Sequence, residues 1–282
     1  MQGISLENVS VGFGGVKALR DATLGVEAGE QLAVIGASGA GKSTLFRALN
    51  RSVALGSGRV AVGGHDLYAL PRRRLNELRR RIGTIYQAYN LVPQLPAGVN
   101  VSLGEVGRMG GLGTLRTFLA GPGAGLSKKV GAALEEVGLG GKAHVRTADL
   151  SGGQQQRVAV ARLLVQRPDF ILADEPFAAV DPVTTERVLE TLVHLNQEGA
   201  TLLVNLHDVE IARRFPRVVA LREGRVAFDG PPERLTEDAL AEIYADDGSA
   251  AAEEEDPAPL YARRDLERSM RLTEGRDGVS SH

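Results

Sequence analysis

The chain has 282 residues and a formal net charge of −2, and 43% of its residues are hydrophobic while only 4% are aromatic. These values fit one elaborated α/β domain with an aliphatic core plus a tail, and the charge balance argues against nucleic acid as the main partner. The lack of cysteine excludes disulfides, thiol catalysis and cysteine-ligated zinc. No run approaches the roughly 18 apolar residues that span a bilayer, and the first residues show no signal-peptide pattern.

Short apolar runs alternate with helical patterns, which is typical of βαβ units around a largely parallel sheet. The first 30 residues predict short strands in a small antiparallel layer. Buried strands are predicted at Gln31–Ile35, 170–173, 201–206 and 218–221. Helical periodicity predicts helices at 42–51, 184–198 and 209–215, and a hairpin is predicted at 221–228 with its turn at Glu223 and Gly224.

Residues 89–165 differ from the rest, because they are rich in glycine and alanine and carry helical patterns at 128–137 and 154–165. We interpret this region as an α-helical subdomain inserted into a single α/β domain that covers residues 1–246. Residues 247–282 are charged and weakly apolar, which predicts a solvated or disordered tail.

Six arginines lie within residues 72–81, directly after Pro71, which favours the start of a helix. An arginine run of this kind is compatible with nucleic acid or anionic lipid. Their spacing distributes them around most of a short helix, and the overall charge is slightly acidic. A solvated helix is therefore the better interpretation, and no nucleic-acid partner is predicted.

Residues 36–43 fit the phosphate-binding pattern G-x-x-x-x-G-K-[ST], between a predicted strand and a predicted helix. Glycines let consecutive N–H groups turn towards phosphates, and the N-terminus of the helix adds its positive dipole. Lys42 is expected to reach the β- and γ-phosphates, and Ser43 to ligate Mg²⁺. The alternative is a glycine-rich turn that binds nothing, which the flanking strand and helix disfavour. The predicted ATP-binding residues of this segment are Gly36, Ala37, Ser38, Gly39, Ala40, Gly41, Lys42, Ser43 and Thr44.

Asp174 and Glu175 follow an aliphatic strand. Adjacent carboxylates in a buried setting are costly unless a cation or hydrogen bonds satisfy them. In phosphate-loop ATPases the aspartate holds Mg²⁺, here through water more readily than directly, and the next carboxylate can polarise the attacking water. The alternative is a helix cap, which would explain one acid, but Pro176 favours a fixed turn.

Residues 150–157 read Leu-Ser-Gly-Gly-Gln-Gln-Gln-Arg. Ser151 and Gln154 satisfy the capping-box pattern S-x-x-Q at a helix start. A capped N-terminus that carries Gly152 and Gly153 is also an anion site, suited to a γ-phosphate from a facing subunit. The two interpretations are compatible.

Three further side chains are ambiguous when taken alone. His207 follows the strand at 201–206 and could be structural, although its place one strand after Asp174 and Glu175 favours function. Gln87 is uninformative by itself, as a loop glutamine after the run 82–86. Phe13 could belong to the core or stack on an adenine ring.

Taken together, the phosphate loop, the string at 150–157, the acid pair and His207 resemble the ATP-binding subunits of ATP-binding-cassette importers. Segments such as 86–93, 114–119, 205–209 and 228–232 are most similar to the phosphonate importers within that class. The resemblance implies a RecA-like phosphate-loop core and makes Glu175, His207 and Gln87 catalytic, with Ser43, Gln87 and Asp174 at the Mg²⁺. It also implies that Phe13 stacks on adenine, that Gln87 couples to the membrane subunit, and that Asp181 lies in a loop at a dimer interface.

In this family the serine–glycine element closes over the ATP of a second copy, so the resemblance implies a homodimer whose signature residues are Ser151, Gly152, Gly153 and Gln154. It further implies integral membrane permease subunits, an extracytoplasmic substrate-binding protein as an indirect partner, and a peripheral position on the cytoplasmic face of the bacterial inner membrane. Two alternatives remain open. One is a cassette for another cargo, such as phosphite or an amino acid, and the other is a soluble cassette ATPase without a transport role.

Overall fold

The computed structural model describes residues 2–86, 89–107, 109, 113, 117, 121, 123–178 and 180–245. The predicted tail at 247–282 and the predicted site residue Gln87 lie outside these residues. The strands in chain order are β1 (Ile4–Phe13), β2 (Val16–Val26), β3 (Gln31–Ile35), β4 (Ser57–Val62), β5 (His65–Asp66), β6 (Ile82–Ile85), β7 (Phe170–Asp174), β8 (Thr201–Asn205), β9 (Val218–Arg222) and β10 (Arg225–Gly230). The helices are α1 (Lys42–Leu49), α2 (Arg72–Arg79), α3 (Ala97–Val106), α4 (Ala124–Glu136), α5 (Gly152–Gln166), α6 (Pro182–Gln197), α7 (Val209–Ala212) and α8 (Glu237–Tyr244).

The central sheet has the order β10-β9-β3-β8-β7-β6. Its first five strands from the β6 edge run parallel, and β10 joins β9 as an antiparallel hairpin that turns at Glu223 and Gly224. The predicted α/β class, the four predicted buried strands and this hairpin are confirmed. Apart from Gln31, Asp174 and Arg222 at the strand ends, the residues of these four strands are buried, as expected of apolar runs in a parallel sheet that is covered on both faces.

The N-terminal antiparallel layer is also confirmed, as a second sheet of order β2-β1-β4-β5. Strands β4 and β5 had no clear signal in the sequence, since residues 57–66 contain three glycines and little apolar alternation. Apolar side chains of this sheet pack with α1 and one face of the central sheet in a shared core. The layer therefore lies close to the start of the phosphate-loop helix.

The other face of the central sheet is covered by helices from the second half of the chain together with those of residues 89–165. In that region α4 and α5 correspond to the two predicted helical patterns, whereas α3 was not predicted. Its Gly104 lies so close to α5 that an added Cβ would be 2.4 Å from the Arg162 carbonyl oxygen. None of the helices in the described part of the chain combines the length and the apolar character needed to cross a membrane.

The arginine-rich segment forms α2, as expected of a solvated helix. Arg72, Arg73 and Arg74 are exposed, and Leu75 and Leu78 are the buried positions of the helix. Arg79 instead has a structural role, because its guanidinium donates hydrogen bonds to the carbonyl oxygens of Asn50 and Arg51. The segment thus joins the end of α1 to the β6 edge of the sheet.

Candidate active site

The predicted site residues converge because three neighbouring parallel strands end at the same edge of the central sheet. Strand β8 lies between β3 and β7, and the register aligns Val34 with Asn205 and Asn205 with Asp174. The phosphate loop begins directly after β3, and Glu175 and His207 follow the ends of β7 and β8. Ligands of open α/β sheets bind at the carboxyl ends of the strands. The fold therefore brings together the loop, the acid pair and His207, which lie far apart in sequence.

The phosphate loop requires glycine at two positions where it passes close to other backbone. Gly36 has φ +144°, and an added Cβ would lie 2.2 Å from the carbonyl oxygen of Leu221 in β9. Gly41 has φ +98°, and an added Cβ would lie 2.3 Å from the carbonyl oxygen of Ala18 in β2. Both positions combine a left-handed backbone with contact to a strand, so only glycine fits. The loop is thereby held against both sheets.

Gly41→Ala is expected to destabilise the fold by about 1–3 kcal/mol, since the alanine is strained at this φ, with the contact to Ala18 adding to that. The matched control is Gly131→Ala in the interior of α4, where nothing lies within 4 Å of the added Cβ. That control should instead gain about 0.5–1 kcal/mol. Thermal denaturation of both variants measures the difference, and equal melting temperatures would contradict the assigned constraint.

Lys42 lies inside the loop that precedes it. Its side chain is 5% exposed, and Nζ donates to the carbonyl oxygens of Gly36 at 2.8 Å and Ala37 at 3.0 Å. A buried ammonium needs such partners. The charge is thus held within the loop, at the N-terminus of α1, where the helix dipole also favours an anion.

Ser43 and Asp174 face each other at the ends of the loop and of β7. Ser43 Oγ donates to Asp174 Oδ1 at 3.5 Å, and the buried Asn205 donates to the same oxygen from Nδ2 at 2.5 Å. Burial raises the pKa of the Asp174 carboxyl, the nearby Glu175 charge raises it further, and the two hydrogen bonds act in the opposite direction. A nearby cation would stabilise the ionised form of the Asp174 carboxylate. This carboxylate and the Ser43 hydroxyl are oxygen donors of the kind that Mg²⁺ prefers. The residues therefore fit a magnesium ion bound together with a nucleotide.

Glu175 and His207 form a close pair above the end of the sheet. Glu175 Oε1 and His207 Nε2 lie 2.5 Å apart and share a hydrogen bond. The Glu175 side chain is 16% exposed and that of His207 is 51% exposed. Glu175 has φ +50°, a left-handed conformation that a non-glycine residue adopts at a cost. Its backbone N–H donates to the Asn205 carbonyl oxygen at 3.2 Å, which ties the Glu175 backbone to the end of β8.

The predicted capping box at the start of α5 is present. Ser151 Oγ accepts from the Gln154 N–H at 3.3 Å, and Gln154 Oε1 accepts from the Ser151 N–H at 3.2 Å. The nearest atoms to a Cβ added at Gly152 or Gly153 belong to Tyr89, Thr184 and Val180, at 3.6–3.8 Å. These are ordinary contacts outside the phosphate loop, so packing within the described part of this chain does not account for the two glycines.

The remaining predicted residues are placed as follows. Phe13 ends β1 with a half-buried side chain at the rim of the antiparallel sheet. Asp181 caps α6, accepting from the Thr184 N–H at 2.9 Å and from its hydroxyl at 2.6 Å, and these hydrogen bonds lower the pKa of the Asp181 carboxyl. The Thr44 hydroxyl is buried and has no hydrogen-bond partner among the described residues. Gln87 lies outside the described residues.

Two polar residues of the site region were not predicted. Asn205 contacts Asp174, and Gln156 Nε2 donates to the Pro176 carbonyl oxygen at 2.5 Å, which ties α5 to the segment after the acid pair. The signal for Asn205 was available, since it is a polar residue in an apolar strand at the level of Asp174. Gln156 gives no comparable signal, because its partner is a backbone oxygen 20 residues away.

A family model described as ABC transporter matches residues 19–178. The chain is 40% identical over 266 residues to the phosphonates import ATP-binding protein PhnC of Shouchella clausii, covering 92% of this chain and 99% of that protein. It is also 40% identical to the PhnC protein of Lactococcus lactis subsp. cremoris, covering 87% of this chain and 100% of that protein. Among solved structures, a dimeric ATP-binding cassette in a post-hydrolysis state with ADP and Pi superposes with a TM-score of 0.73 at 33% identity. That alignment covers 81% of this chain and 98% of the cassette.

Proposed function

The chain belongs to the ABC transporter family, and we propose that it is the ATP-hydrolysing motor subunit of an importer that takes up phosphonate or a related oxyanion. The observation that carries the proposal is the convergence of the phosphate loop, Ser43, Asp174 and the Glu175–His207 pair at one edge of the sheet. The names of the relatives supply the cargo, because the nucleotide subunit does not itself contact it.

At this site Lys42 binds the β- and γ-phosphates as a point charge, and Ser43 and Asp174 would hold Mg²⁺, which would neutralise phosphate charge. Gln87 would also bind the Mg²⁺ ion, and it would couple the nucleotide site to the membrane subunit. Glu175 accepts a proton from the attacking water, and His207 keeps the Glu175 carboxylate directed at it. The 2.5 Å contact between the two side chains and the strained backbone of Glu175 support these roles.

We propose that Ser151, Gly152, Gly153 and Gln154 act on the ATP of a second copy. Glycine at a helix start costs stability, and neither Gly152 nor Gly153 is needed for packing in the described part of the chain. Close approach of an external phosphate to the capped N-terminus of α5 would require both. The dimeric state of the similar cassette supports the arrangement. Asp181 lies at the start of α6 beside the contacts of Gly153, in keeping with a place at the same interface.

The further assignments follow from the family. Phe13 stacks on adenine at the rim of the antiparallel sheet, and the nucleotide-binding domain covers residues 1–246 with the helical subdomain at about 89–165. The dimer docks on permease subunits at the cytoplasmic face of the inner membrane, and an extracytoplasmic binding protein delivers the cargo. The tail at 247–282 has no proposed role.

Growth of the host on defined phosphorus sources tests the transport assignment. Deleting the gene should abolish growth on methylphosphonate as sole phosphorus source while growth on phosphate continues. The wild-type gene should restore growth, and a Lys42→Ala version should not. Loss of growth on phosphite or of amino acid uptake alone would favour another cargo. Unchanged uptake of all three would favour the soluble, non-transport cassette.

Lys42→Ala is expected to weaken ATP binding itself, because the charge on the β- and γ-phosphates is lost. We expect at least a tenfold higher Kd for ATP, measured by fluorescence titration or calorimetry. Lys17→Ala is the matched control, as an exposed lysine of β2 outside the loop, and should bind ATP within about twofold of wild type. Unchanged affinity in Lys42→Ala would remove Lys42 from its assigned role.

A further inference from the structure

We infer that Asn205 is a positioning residue that fixes the Asp174 carboxylate for its role at the magnesium–nucleotide site. The inference rests on the proposed function. Asn205 is the last residue of β8 and is aligned with Asp174, the last residue of β7, in parallel register. Side chains at aligned positions of neighbouring strands point to the same face of the sheet. The amide thus lies beside the carboxylate, and Nδ2 donates to Oδ1 at 2.5 Å.

The fold has no separate need for an amide at this position. Asn205 is 0% exposed and follows Leu202, Leu203 and Val204, so an aliphatic residue would continue the strand without polar atoms. Its Oδ1 is buried with no hydrogen-bond partner among the described residues. An unsatisfied buried acceptor is costly, whereas an aliphatic side chain of similar shape avoids that cost. Among the described residues, the hydrogen bond to Asp174 is the one interaction of the Asn205 side chain that offsets the cost of burying its amide.

The contact also restricts the orientation of the Asp174 carboxylate. The hydrogen bonds that described residues make to the Asp174 side chain, from Asn205 Nδ2 and from Ser43 Oγ, both fall on Oδ1. Holding one oxygen from the side of β8 restricts rotation of the carboxylate, which would hold the ion directly or through water. Partners that orient a metal-binding side chain in this way commonly change metal affinity 10–100-fold when they are removed.

Two substitutions of equal shape isolate the hydrogen bond. Asn205→Val removes the donor, and Asn205→Thr retains a hydroxyl donor in the same β-branched outline. The readout is Mg²⁺ binding and not turnover. In the presence of ADP, Mg²⁺ should raise the melting temperature further, and the measured quantity is the Mg²⁺ concentration that gives half of this additional rise. We expect Asn205→Val to raise this concentration at least tenfold and Asn205→Thr to raise it by less than threefold, while the shift given by ADP in EDTA stays unchanged in both.

Asn196→Ala is the matched control. Asn196 Nδ2 donates to the carbonyl oxygens of Gly29 and Ala200 at 2.9 and 2.8 Å, so the variant loses two asparagine hydrogen bonds outside the acid cluster. Its melting temperature should fall, but its half-saturating Mg²⁺ concentration should match wild type. This separates loss of stability from loss of ion binding.

A half-saturating Mg²⁺ concentration within twofold of wild type in Asn205→Val would overturn the inference. If that variant does not fold, Asn205→Leu, which matches asparagine more closely in volume, takes its place. Failure of both to fold would also overturn it, because the strand would then need the amide. The proposed function is tested separately. If the melting temperature of the wild-type protein does not respond to ADP and Mg²⁺, the nucleotide assignment fails. If wild type responds and Asn205→Val has the same half-saturating Mg²⁺ concentration, only the role of Asn205 is removed.

Discussion

Glu175→Gln is expected to bind ATP with near wild-type affinity and to lose about 10²–10⁴-fold in the rate of hydrolysis. The amide has almost the shape of the carboxylate but cannot accept the proton of the attacking water, while Lys42, Ser43 and Asp174 keep their contacts with the nucleotide. ATP bound without turnover should hold two copies together. Size-exclusion chromatography in ATP and Mg²⁺ should therefore show a species of twice the monomer mass that wild type does not accumulate.

Glu186→Gln is the matched control for this prediction. Glu186 is an exposed glutamate of α6 whose carboxylate accepts two hydrogen bonds from Arg214, so the same chemical change occurs in an ion pair outside the acid cluster. Its hydrolysis rate should stay within about twofold of wild type, in keeping with the small contribution of surface ion pairs. Near-normal hydrolysis by Glu175→Gln would remove Glu175 from its assigned role.

The same residue shows where prediction from sequence reaches its limit. Asp174 and Glu175 after an apolar strand indicated a site, because the pattern lies within a few residues. Burying two carboxylates is costly in any protein unless a cation or hydrogen bonds satisfy them. The left-handed backbone of Glu175 and its contact with His207, 32 residues later, depend on how β7 and β8 pair. Neither has a local sequence signal. Both follow from the register of the sheet, which aligns Asp174 with Asn205.

The secondary structure shows the same contrast between features that depend on nearby residues and features that depend on distant ones. The capping box of Ser151 and the strands β3, β7, β8 and β9 were predictable, since they rest on contacts within a few residues or on continuous apolar runs. Helix α3 was missed because Gly98 and Gly104 lower its intrinsic helical propensity. In the structure Gly104 is required by the close approach to α5, and tertiary packing outweighs that local preference. The role of Gly104 thus depends on its partner helix and not on the local sequence.

Ser151→Arg is expected to abolish hydrolysis while leaving ATP binding by the same chain intact. The substitution removes the hydroxyl that caps α5 and places a bulky cation where the γ-phosphate of the facing copy is proposed to lie. Thr236→Arg is the matched control, because Thr236 caps α8 through the Ala239 N–H at 3.2 Å and belongs to no predicted site. Loss of that cap should cost about 1 kcal/mol of stability and leave hydrolysis within twofold of wild type.

Mixing Ser151→Arg with Lys42→Ala gives the sharper result. Each shared site takes its phosphate loop from one chain and its signature from the other, so a mixed dimer has one site with both defects and one site with neither. Each variant alone should be inactive. An equal mixture should recover about a quarter of the wild-type rate if copies exchange freely and one intact site suffices, since half of the dimers of a symmetric pair are then mixed. Full activity of Ser151→Arg alone would contradict the shared site, and with it the motor function that depends on residues 150–157.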